Sequence, residues 1–168
     1  MKVNPTLRVA IILALTAGII RLVAFFGGFA SPNMSKYVMF MHMLFILFSV
    51  FFGIRSSQSG KQTTPGADLK AAIKAGGVYT VISTAFVFIY FRFIDINYFV
   101  LKQQELIEAE VKRGGNINQI KEKVENFFSL MNYSTITLLG LMMIVFLYSV
   151  MVVLLDRYVL NRITKRYN

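Results

Sequence analysis

The chain has 168 residues, of which 56% are hydrophobic and 15% charged, and its mean hydropathy is +0.60. Soluble domains carry about a quarter charged residues, so this balance excludes an ordinary soluble globule and describes an integral membrane protein. The absence of cysteine excludes a disulfide framework, a thiolate nucleophile and a cysteine metal site. The net charge of +10 does not point to nucleic acid, because the basic residues flank apolar runs instead of covering one soluble face.

A helix needs about 20 apolar residues to cross ~30 Å of hydrocarbon, and the first run of that length extends from Val9 to Phe29. Lys2 and Arg8 precede it as they would a signal peptide, but the apolar core continues past Arg21 and lacks a small-residue cleavage pattern, so it reads as a span. Alternating steps of four and three pick out Ala10, Ala14, Ala17, Arg21, Ala24 and Gly28, all small except the arginine. Lipid removes the hydrophobic drive between helices, so packing depends on small residues that allow close approach. The seam is therefore expected to face neighbouring helices and to carry Arg21 inward with it.

A charge at that depth costs from ~3 to over ~10 kcal/mol, and no acid lies within any apolar run. Arg21 must be met by hydroxyls, a neutral His42, carbonyls, water or an anion from outside the chain. Two readings follow. One is a structural arginine satisfied within the chain. The other is an anion or lipid-headgroup site built from Arg21, His42, Tyr90 and Arg92, with Asp95 within reach if the arginine snorkels.

The second run, Tyr37 to Ile54, brings His42, Ser49 and Gly53 to related positions, and His42 is expected to bond to a neighbouring helix. Met39, Met41 and Met43 are spaced by two, which scatters them around a helix and argues against a copper site. The basic loop that follows contains Pro65-Gly66 as a breaker, and Asp68 is expected in the first turn of a helix starting near Ala67, where a carboxylate suits the positive end of the dipole. Its basic residues are each worth ~1 kcal/mol of attraction to anionic headgroups. The third run, Ala75 to Ile94, carries Gly76, Tyr79, Ser83, Phe86, Tyr90 and, beyond its end, Asn97 along one stripe.

The long segment before the last run reads as a helical hairpin outside the membrane, over about 96–132. Its first arm places Val100, Ile107 and Val111 on one stripe and ends at Gly114-Gly115; its second repeats Ile117, Ile120, Val124, Phe127, Phe128 and Met131 at helical spacing. The stripes are expected to be buried on each other or on the rim of the bundle, the alternative being a partner-docking surface. The fourth run is Thr135 to Leu155; Asp156 after it is expected to pair with Arg157, Arg162 or Arg55, and the tail resembles an interfacial anchor.

These elements predict an all-α fold: a single membrane domain over 1–168, with four spans packed as an up-and-down bundle and the helical hairpin between spans three and four. Ten Lys and Arg residues, in the N-terminal flank, the second loop and the C-terminal tail, fall on one side of such a bundle. The positive-inside rule then places both termini in the cytoplasm. No phosphate loop, nucleophile elbow, catalytic carboxylate pair or metal motif is present, so a non-enzymatic protein without metal or cofactor is expected. The preferred function is an accessory or scaffold subunit that contacts the bilayer and a membrane protein partner or a second copy. A lipid or anion binder with an outer-leaflet site around Arg21 is the alternative, and a proton-coupled transporter is disfavoured by the lack of intramembrane acids.

The stretch "FGIRSSQSG", the segment "AAIKAGGVYTVISTAFVFIY" and the following "RFIDINYF" resemble the Bacteroidetes-type family catalogued as domain of unknown function 4199. The likeness rests on Arg55 closing span two, Gly76 or Gly77 opening span three, and Asp95 after it, and it extends over nearly the whole chain. It implies a small four-span protein of the inner membrane of a diderm bacterium and implies no activity. Members often place proline after that aspartate; here Ile96 stands there, so the helix is expected to continue past Asp95.

Overall fold

The computed structural model describes residues 5–29, 34–59, 63–114 and 116–160. Among them all regular structure is helical: α1 (Pro5–Phe26), α2 (Met34–Gln58), α3 (Pro65–Phe93), α4 (Tyr98–Lys112), α5 (Ile117–Phe127) and α6 (Leu130–Leu154), the last running into a π-helical turn over Leu155–Leu160. The fold class is all-α. Helices α1, α2, α3 and α6 are long and apolar enough to cross a membrane, the pattern of a multi-pass membrane protein.

Helix ends follow from local chemistry. At the C-terminus of α1, the Gly28 N–H bonds to the Phe25 carbonyl and the Phe29 N–H to the Ala24 carbonyl, with Gly28 at φ +73°. This is a Schellman cap, whose left-handed position favours glycine. Gly28 therefore ends the helix in an exposed turn and does not extend the small-residue seam inward, contrary to the seam expected from spacing alone. Helix α3 begins earlier than Ala67: the Thr64 hydroxyl accepts from the Ala67 N–H, and Pro65 takes the first helical position, where its missing N–H costs nothing. At 29 residues α3 is about 43 Å long, roughly nine residues more than hydrocarbon requires.

The expected continuation past Asp95 does not occur. Helix α3 stops at Phe93, and the amides of both Ile94 and Asp95 bond to the Tyr90 carbonyl, so the last turn widens and closes. A new helix then starts at Tyr98, with Asn97 at its N-cap position, away from the α3 stripe. Phe128 and Ser129 likewise separate α5 from α6.

The chain divides into two compact units. The first comprises the described residues up to Ser83 and from Gly140 onward; the second is Thr84–Leu139. In the first, one core is shared by Ala10 and Ala14 of α1, Ile46, Val50 and Ile54 of α2, Ala72 and Tyr79 of α3, and Val145, Val152 and Val153 of α6. Glycines set its closest approaches. A Cβ on Gly53 would lie 2.7 Å from Ala75 Cβ and 3.1 Å from the Ala71 carbonyl oxygen; one on Gly76 would lie 2.6 Å from Val145 Cγ1.

The second unit is held by aromatic rings. Phe91 is flanked by Tyr90, Tyr98, Phe99 and Tyr133 at centroid separations of 4.5–5.5 Å. Helices α4 and α5 pack on each other as a hairpin, and the Gln103 side chain donates to the Phe128 carbonyl at 3.0 Å. Gly114, at φ +88°, closes the first arm, and the Asn116 side chain caps the second by accepting from the Asn118 N–H. Neither arm buries a residue: Ile120 and Val124 are half-buried, whereas Ile117 and Phe127 stand exposed at 56% and 58%. The apolar stripes are thus only partly covered within the unit.

Gly76→Ala is expected to lower stability by about 1–3 kcal/mol, because the new methyl meets a branched side chain that cannot swing aside, and Val145→Ala in the same chain should recover part of the loss. Gly77→Ala, where a Cβ meets nothing within 4 Å, should change stability by less than about 0.5 kcal/mol. Reversible unfolding in mixed micelles, followed by circular dichroism, measures both.

Candidate functional site

The first unit contains two groups of polar side chains. The larger lies where α2 stops, α3 begins and the π-helical turn follows α6. Asp68, fully buried in the first turns of α3, is met from three directions. The Thr63 hydroxyl donates to Oδ1 at 2.6 Å; Gln58 Nε2 and Arg157 Nε donate to Oδ2, each at 3.1 Å; and Arg157 Nη2 pairs with the same oxygen. Arg157 Nη2 also donates to the Thr63 carbonyl. A carboxylate without water is tolerated only when its lone pairs are matched in this way.

Asp156, one residue before Arg157, pairs instead with α2. Arg55 Nη2 lies 3.0 Å from its Oδ1, and Gln58 Nε2 donates to Oδ2 at 2.7 Å. The Gln58 amide thereby bridges both buried carboxylates. Of the partners expected for Asp156, Arg55 is found; Arg157 serves Asp68, and Arg162 lies outside the described residues. Sequence reasoning placed Asp68 near a helix start but missed its pairing with Arg157. The two are 89 positions apart, and no periodic pattern links them.

The second group surrounds His42. Its Nδ1 lies 2.6 Å from the hydroxyl of Tyr79, a fully buried ring on α3, and Phe45 packs edge-on against the same tyrosine. Arg21 is half-buried on α1, within electrostatic range of the imidazole. Ala10, Ala14 and Ala17 are buried on the same helix, as is Gly18 beside them, and Ala24 is half-buried. Gly76 and Ser83 of α3 are buried as well. Among the described residues, the buried hydroxyls of Ser49, Thr80 and Ser149 have no hydrogen-bond partner.

The remaining members of the candidate anion site belong to the second unit. Tyr90 is buried against Phe86 and Phe91. Arg92 is exposed two residues on, and side chains two apart on a helix do not face each other. Asp95 is half-buried in the turn after α3, where its carbonyl accepts from the Tyr98 N–H. The structure does not gather Tyr90 and Arg92 on one face, and it brings Tyr79, absent from that set, to His42. The signal for Tyr79 was its place on the same stripe as Gly76 and Ser83. Among the described residues no three metal-ligating side chains converge.

No known protein family, curated protein or solved structure matches this chain.

Asp68→Ala is expected to cost about 3–5 kcal/mol, since it leaves a largely buried guanidinium without its carboxylate. Asp156→Ala should cost closer to 1 kcal/mol, because Arg55 is 45% exposed and can turn to water. Tyr79→Phe should cost about 0.5–1.5 kcal/mol, the range of hydrogen bonds between membrane helices. Unfolding midpoints of the three variants in one detergent rank these effects.

Proposed function

We propose that the chain is a non-enzymatic protein of a bacterial inner membrane, with both termini cytoplasmic, that serves as an accessory or scaffold subunit of a membrane complex. The observation that carries this reading is the α4–α5 hairpin. Its second arm has charged residues on one side, Lys121, Glu122, Lys123 and Glu125, and apolar residues on the other, of which Ile117 and Phe127 are exposed. An amphipathic helix whose apolar side is not buried in its own unit offers that side to another surface. The buried carboxylates of the first unit are matched by donors of the same chain, which leaves that unit internally neutralised at this end. The inner membrane is what the sequence resemblance to domain of unknown function 4199 implies, and the basic residues of the second loop and tail support the orientation.

The occupant that this reading requires is an apolar surface of a membrane protein partner. A photoreactive residue at Phe127 or Ile117 should yield one discrete protein adduct in native membranes, identifiable by mass spectrometry. Phe127→Asp should abolish the adduct formed at Ile117. Labelled lipid alone, or a dimer of this chain alone, would replace the partner by the bilayer or by a second copy and overturn the scaffold reading.

One observation favours a second reading. His42 and Tyr79 place an imidazole and a hydroxyl 2.6 Å apart in the first unit, with the Arg21 charge within electrostatic range of the imidazole, which is the chemistry of an anion or lipid-headgroup site. If that group holds lipid, Arg21→Ala should fold normally yet lose anionic lipid retained in native mass spectrometry; unchanged retention would leave Arg21 as a structural residue.

A further inference from the structure

A groove in the first unit, at the end where α2 stops and α3 starts, carries chemistry that the paired carboxylates do not use. Pro5 of α1, Ser56 and Ser57 of α2, and Ala67, Lys70, Ala71 and Lys74 of α3 line a volume of about 390 Å³. The four α3 residues follow the i, i+3, i+4, i+7 spacing of one helix face. Their two alanines keep the groove open between the lysines and the serines.

Lys70 and Lys74 stand one turn apart, and like charges at that spacing repel and weaken a helix. Both are exposed, and among the described residues neither has a carboxylate partner. The acids at this end are already taken, Asp68 by Arg157, Gln58 and Thr63, and Asp156 by Arg55 and Gln58. Among the described residues no acid lines the groove. A serine hydroxyl, that of Ser57, on the α2 wall and two ammonium groups on the α3 wall make a hydrogen-bonding anion site.

Depth narrows the ligand. The apolar run of α3 starts at Ala75, directly after Lys74, and Lys70 lies one turn, ~6 Å, further out. The pair therefore brackets the level at which a bilayer changes from hydrocarbon to phosphate. We propose that this groove binds a phosphate group, carried by an anionic lipid headgroup or by free phosphate, between Lys70, Lys74 and the hydroxyl of Ser57. This assignment is independent of the scaffold reading and of the Arg21 group, and it goes beyond diffuse attraction of basic loops to an anionic surface.

The full chain in nanodiscs of phosphatidylcholine with and without phosphatidylglycerol tests it, with native mass spectrometry after release counting the phosphatidylglycerol retained. Lys70→Gln/Lys74→Gln should retain about tenfold less than the native sequence, and Lys70→Arg/Lys74→Arg should keep it. Lys61→Gln/Lys165→Gln, which removes the same charge elsewhere in the chain, should also keep it. Equal losses in the two glutamine variants would mean diffuse attraction only and overturn the site, as would undiminished retention without Lys70 and Lys74. If the double variant lost its helicity, Lys70→Gln and Lys74→Gln taken singly would give the same comparison. Inorganic phosphate added to phosphatidylcholine discs separates the sources. Broadening of its ³¹P resonance that depends on the two lysines indicates free phosphate, whereas lysine-dependent lipid retention that phosphate does not displace indicates the headgroup.

Discussion

A fully buried carboxylate at the start of α3 is the constraint on which the first unit depends. Asp68 can remain there only with its oxygens matched, and the donors come from Gln58 at the end of α2, Thr63 before α3 and Arg157 after α6. Meeting those distances sets the ends of three helices against one another. Gln58 then extends the arrangement to Asp156, and Arg55 adds a second tie to α2. One and two turns into the bundle lie Ala71 and Ala75, which receive Gly53, and beside them Gly76, which receives Val145. The polar lock and the glycine contacts are mutually consistent: helices tied this tightly at their ends leave no room for larger side chains in the next turns.

Two arginines at this end, Arg55 and Arg157, make the buried and half-buried pairs, where a planar fork matches a carboxylate. The lysines of α3 remain on the outside, flexible point charges facing a groove. The same few turns thus combine internal neutralisation with an outward positive surface, and the two functions use different chemistry.

Deeper in the first unit the balance changes. Lipid gives helices no hydrophobic reason to associate, so the alanines of α1 and the glycines of α2 and α3 gain contact by close approach. Within that packing His42 and Tyr79 satisfy each other across two helices, with the Arg21 charge within electrostatic range. In the second unit, rings around Phe91 take the place of small residues, and the hairpin arms pack on each other with Ile120 and Val124 half-buried.

The spans, the extra turns at the start of α3 and the two-armed hairpin were legible in the sequence, because apolar length and helical spacing are properties of contiguous residues. Ala10, Ala14 and Ala17 were legible as a buried strip for the same reason. Gly28 was misplaced on that strip because spacing does not reveal where a helix ends, and the turn around Asp95 was missed because closure there depends on two amides sharing the Tyr90 carbonyl. The pairing of Asp68 with Arg157 and of His42 with Tyr79 was decided only by tertiary structure. Each depends on which helix lies against which, and at what rotation, and a linear pattern does not encode a relation between residues that come together only when the chain folds.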